Sequence, residues 1–106
     1  MPAIDRLFDA MLAGDGSDLH LAEGQPPKIR RHGRLGKLDH PALTAETIQA
    51  YLKEICSPVR WQSFLDTGDL DFAYAFGEKA RFRSNYFYQA HGMGAVFRVA
   101  PAFIPG

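Results

Sequence analysis

From Asp69 onward apolar and polar residues alternate, whereas before it most of them fall in helical groups; this switch of period limits the chain to a mixed architecture. Leu70, Phe72, Tyr74 and Phe76 alternate with Asp69, Asp71, Ala73 and Ala75, the pattern of a strand buried on one face. Gly77-Glu78 turns the chain into a second run, Ala80 to Gln89, and the Ala90-His91-Gly92 turn leads to a third, Gly94 to Ala100. Upstream, Ile4, Leu7, Phe8, Met11 and Leu12 stand at offsets 0, 3, 4, 7 and 8, which predicts a helix from about Pro2 to Ala13. Ile48, Tyr51, Leu52, Ile55 and Cys56 repeat that spacing behind Thr44, a good N-cap. Ser57-Pro58 opens another helix, with Trp61, Phe64 and Leu65 as its apolar face and Gly68 as its stop. Between the first two helices, Ser17 to Ala22 alternates as a half-buried strand, and Pro26 to Leu38 reads as a small hairpin turning at His32-Gly33.

Helix, three short strands, two helices and three longer strands imply an α+β domain, its helices packed against a mainly antiparallel sheet. At 106 residues one compact domain is expected, with residues 1–100 forming it and the two-proline segment 101–106 leaving it as a linker. Lys plus Arg equals Asp plus Glu at 12 each, so bulk charge recruits neither nucleic acid nor a membrane. The lone Cys56 forms no internal disulfide, which agrees with a reducing compartment, and it reads as a small buried hydrophobe on a helix. No export signal or bilayer-length apolar run is present, so the expectation is a soluble protein that is not exported.

Ser17-Asp18-Leu19-His20-Leu21, then Gly24-Gln25-Pro26-Pro27 and Arg31-His32-Gly33-Arg34-Leu35, resembles the opening of the PilT-type pilus retraction ATPases of the secretion ATPase superfamily. Asp69-Leu70-Asp71-Phe72-Ala73-Tyr74, Ala80-Arg81-Phe82-Arg83-Ser84-Asn85 and Gly94-Ala95-Val96-Phe97-Arg98 are similar to that family's continuation. The resemblance implies a PAS-like amino-terminal domain of a cytoplasmic homohexameric motor, peripheral at the inner-membrane pilus machine, that powers pilus retraction and twitching motility. It implies as partners the RecA-like ATPase domains of the same and neighbouring subunits and an inner-membrane platform protein. ATP and Mg²⁺ would belong to the RecA-like domain, and no cofactor is expected on this chain. No G-x-x-x-x-G-K-[ST] phosphate loop occurs, so the chain is not expected to be an enzyme by itself. The rival readings are the same domain of an assembly, PilU-like or type II secretion ATPase, and a free-standing PAS-like sensor of a small molecule. The short helix before Ser17 favours retraction over assembly, and a filled core would count against the sensor.

Arg81, Arg83 and Asn85 project to one side of their strand, away from Phe82, Tyr86 and Tyr88. Pairing Tyr88 with Met93 across a four-residue loop sets Arg83 directly opposite Arg98, an unfavourable arrangement of like charges unless an anion joins them. Pattern alone prefers a solvated face balanced by Asp69, Asp71 or Glu78. The resemblance reverses that preference, since it implies that Arg83 and Arg98, with Arg81 as a lesser helper, contact the γ-phosphate of ATP held by the ATPase domain.

A second basic group, Lys28, Arg30, Arg31, Arg34 and Lys37, lacks interleaved aromatics and reads as a solvated strand edge, with a subunit contact second; no nucleic-acid platform is expected. The four histidines lack metal-ligand spacing, and no metal site is expected. Asp69 and Asp71 share a strand face but read as ion-pair partners rather than paired catalytic acids. Phe72, Tyr74, Phe82, Tyr86 and Tyr88 read as a core stripe.

Overall fold

The computed structural model describes residues 2–100, so the proposed linker at 101–106 lies outside the described residues. The first helix, α1 (Asp5–Ala13), starts later than its apolar spacing suggests. Ile4 precedes it without a side-chain cap, and Asp5 N–H donates to the Pro2 carbonyl at 3.1 Å, so Ala3 and Ile4 form a turn that leads into the helix. Next come β1 (Asp18–Ala22), β2 (Lys28–Arg31) and β3 (Arg34–Lys37). The β2–β3 turn has φ of 50° at His32 and 78° at Gly33. Positive φ at both central residues gives the turn the twist of the strands it joins.

Thr44 caps α2 (Ala45–Glu54), its hydroxyl accepting the Thr47 N–H at 3.1 Å. Ser57 does the same for α3 (Pro58–Thr67), accepting the Arg60 N–H at 3.2 Å, with Pro58 at the first helical position where its missing N–H costs nothing. Gly68 closes α3 in the left-handed conformation, φ 80°, and donates to the Phe64 carbonyl. Two local expectations change. Cys56 is not on a helix: α2 has ended at Glu54, and the thiol sits half-buried in the link to α3. Leu65 is 43% exposed, because the α3 face that packs inward is carried by Trp61 and Phe64 alone.

The remaining strands are β4 (Asp69–Phe76), β5 (Ala80–Gln89) and β6 (Gly92–Val99). All six join one sheet in the order β3-β2-β1-β6-β5-β4, every neighbouring pair antiparallel. The non-local seam is β1 against β6, with Leu19 opposite Phe97 and Leu21 opposite Ala95. The fold is thus α+β, as the periodicity implies.

All three helices lie against the same face of the sheet. Phe8 of α1 packs on Tyr74, Phe76, Phe82 and Phe97, with ring centroids 4.5–5.5 Å away. Phe64 of α3 meets Tyr86 and stacks on Tyr88 at 4.9 Å, and the Tyr86 hydroxyl donates to the Leu52 carbonyl of α2 at 2.9 Å. Tyr88 itself is 46% exposed, so the aromatic stripe ends at the rim. Side chains rather than a chamber fill this layer, with Phe8, Phe64, Phe82, Tyr86 and Phe97 at most 2% exposed. That argues against a sensor holding a small molecule in its core. No described helix is long and apolar enough to cross a membrane.

Candidate functional site

The described helices all lie on one face, so among the described residues no helix covers the opposite face of the sheet, and the alternation of each strand decides what it shows. The registers place Arg30, Asp18, Arg98 and Arg83 in one row across β2, β1, β6 and β5. Three guanidiniums therefore share a line with one carboxylate. Arg83 does stand directly opposite Arg98, as the Tyr88–Met93 pairing requires.

An open groove of about 380 Å³ lies over this pair, lined by Asp71, Arg83, Ser84, Asn85, Val96 and Arg98. Arg98 donates through Nε to Asp18 Oδ2 at 3.1 Å, and the Ser17 hydroxyl donates to Asp18 Oδ1 at 2.7 Å. Arg83 has a looser partner, Asp71 at 3.9 Å, with both side chains more than half exposed. Asn85 donates to the Asp69 carboxylate and the Leu70 carbonyl. Of the acids expected to balance the arginines, Asp71 alone does so. Asp69 serves Asn85, and the acid that matters for Arg98 is Asp18, contributed by the far side of the β1–β6 seam.

The chain is 37% identical over 86 residues to the type IV pilus retraction ATPase PilT of Pseudomonas aeruginosa, a match covering 81% of the chain and 25% of that protein. It is 27% identical over 101 residues to the type IV pilus ATPase PilU of the same organism, covering 95% of the chain and 26% of PilU. No protein-family model matches. A crystal structure of the pilus retraction motor PilT with bound ADP superposes with a TM-score of 0.85 at 32% identity, over 99% of this chain and 31% of the motor. The chain is an amino-terminal domain of the PilT-type secretion ATPases. It spans about a quarter of the length of the curated relatives it matches.

In this PilT-type domain Arg81 lies apart from the groove over Arg83 and Arg98. It lines a neighbouring groove of about 730 Å³ with Leu12, Lys79, Phe82, Arg83 and Val99, and its carbonyl accepts the Ala100 N–H. The electrostatics of the row centre on β1. Burial alone would raise the Asp18 carboxyl, but the Ser17 hydroxyl, the hydrogen bond and charge of Arg98, and His20 together hold it below its usual value. Burial pushes the neighbouring His20 down, Asp18 opposes that shift, and Arg30, Arg98 and Lys28 add to it. His20 therefore favours its neutral form on a face already rich in cations.

The basic hairpin sits at the sheet edge away from the groove, apart from Arg30, which faces Asp18. Sequence reasoning passed over Asp18 and Arg30 as site residues. The alternation of β1 and β2 gives their faces, but only the β1–β6 pairing brings them beside Arg98. Among the described residues no group of three or more His, Cys, Asp or Glu side chains gathers as a metal ion would need.

Proposed function

We propose that this domain couples ATP state to movement in a hexameric motor that retracts type IV pili. Residues 1–100 form the domain, and residues 101–106 lead toward a RecA-like ATPase domain. In this reading Arg83 and Arg98 contact the γ-phosphate of ATP held by that domain, while the same bare sheet face supplies surface for ring assembly. The motor works in the cytoplasm against an inner-membrane platform protein. The observation that carries the reading is the opposed pair Arg83 and Arg98 at an open groove on the sheet face that no described helix covers.

Each guanidinium is permanently charged and presents a planar fork of donors matched to phosphate oxygens, so a terminal phosphate distinguishes ATP from ADP at this pair. ATP with Mg²⁺ supplies the phosphoryl chemistry when bound by the RecA-like domain. This chain's part is to recognise the terminal phosphate and to move as one rigid sheet when that contact is made or lost. Retraction is favoured over an accessory motor by the higher identity to PilT than to PilU, 37% against 27%.

Replacing Arg83 or Arg98 by Ala in the complete motor tests this. ATPase rate should fall by ~10³-fold or more if the side chain stabilises the transition state, and by less if it only senses. The fold should persist, because both side chains are on the face opposite the core. Folded variants that hydrolyse ATP and retract pili at normal rates would leave Arg83 and Arg98 as a solvated face.

A further inference from the structure

The two arginines of the groove are held very differently. Asp18 is 4% exposed, and both of its carboxylate oxygens are engaged, one by the Ser17 hydroxyl and one by Arg98 Nε. A buried carboxylate bonded at both oxygens has little freedom to turn. Through Nε it grips the inner part of the Arg98 guanidinium, while the Arg98 side chain stays 69% exposed beyond it. Arg98 lines the groove, and among the described residues no hydrogen bond engages its two terminal nitrogens, which leaves both available as a fork. Arg83 has no such grip: its nearest acid, Asp71, is 3.9 Å away and itself exposed. An exposed pair at that separation contributes little order.

We propose that Asp18 is a positioning residue that presents Arg98 to the anion as a fixed fork, leaving Arg83 as the mobile member that completes the contact. The inference rests on the proposed phosphate contact of Arg98 and adds a division of labour to it. Asp18 does not touch the anion, and a bare carboxylate at the centre of the row would repel one. Its burial behind Arg98 lets it orient the guanidinium while the cations screen its charge. Neutralising the carboxylate leaves Arg98 charged but without its charge-assisted grip and so less firmly aimed, and misplacing a contact by ~1 Å can cost about 10²-fold in rate.

The complete motor should be assayed as wild type, Arg98→Ala, Asp18→Asn and the double variant, alongside proton exchange of the Arg98 Nε–H in the 106-residue chain by NMR. The proposal expects ATPase rate to fall by about tenfold or more in Asp18→Asn, no further loss from adding Asp18→Asn to Arg98→Ala, and slow Nε–H exchange in wild type that becomes fast in the variant. Ser17→Ala, which leaves Asp18 in place with one bond fewer, should give an intermediate exchange rate and guards against a variant that fails to fold. If Arg98→Ala is impaired while Asp18→Asn is normal, the positioning role is wrong and the phosphate contact stands. If Arg98→Ala is itself normal, the phosphate contact fails and the positioning role with it. Fast Nε–H exchange in the wild-type chain would overturn the fixed fork directly.

Discussion

Arg83 and Arg98 face each other across β5 and β6, yet they do not share a counterion: Arg98 is bonded to the buried Asp18 of β1, and Arg83 leans on the exposed Asp71 of β4. The pair is bracketed by carboxylates on both outer sides. That arrangement offsets part of their mutual repulsion and leaves an open groove over them. The same relationship separates what holds the fold together from what the face can bind.

Acid should weaken the fold through Asp18. Its carboxyl lies below the usual 3.8, so its charged form stabilises the folded state at every pH above that value. The contribution is lost as pH falls through the lower, folded pKa. Thermal melts from neutral to strongly acid pH should show wild type losing more stability over the acid limb than Asp18→Asn. Parallel losses in the two proteins would place the acid sensitivity elsewhere.

Phe8→Ala should be the most damaging single truncation in the core. Its ring meets four others, from Phe82 at 4.5 Å to Tyr74 and Phe76 at 5.5 Å, and is fully buried between α1 and the sheet. The expected loss is ~3–5 kcal/mol in urea unfolding, a large share of a small domain's stability. A loss under ~1 kcal/mol would mean that α1 repacks freely.

The basic hairpin should keep the sheet edge single. β3 is exposed along its length, Lys37 stands opposite Lys28 and Arg34 opposite Arg31, and Leu35 is 44% exposed. Such charge on an outer strand discourages pairing with another chain. Light scattering should report a monomer or weak dimer for this chain, and larger species when Arg34 and Lys37 are both replaced by Val. A stable hexamer of the unaltered chain would contradict this, as would a variant that stays monomeric.

Much of this was readable because it is local. The cap at Thr44, the helix start at Ser57-Pro58, the turn at His32-Gly33 and the facing of Arg83 and Arg98 follow from residues near one another in sequence or from a single hairpin. Strand order was not readable, since the pairing of β1 with β6 joins residues 18–22 to 94–98 and depends on how the whole core closes. Asp18 was hidden for that reason: next to Leu19 it looks like an ordinary solvated acid, and only the seam buries it against Arg98. The apolar spacing reaches Cys56 past the point where α2 ends, and it reaches Leu65 at the edge of an α3 face whose inward packing is carried by Trp61 and Phe64.

If Arg83 and Arg98 read the terminal phosphate, they should separate two nucleotide affinities within one protein. Binding of ADP and of a non-hydrolysable ATP analogue should be measured for the complete motor as wild type, Arg83→Ala and Arg98→Ala. ADP affinity should be unchanged in both variants, and affinity for the ATP analogue should fall by about tenfold or more, the loss of one charge-assisted contact. Equal changes for both nucleotides, or none for either in folded variants, would contradict it.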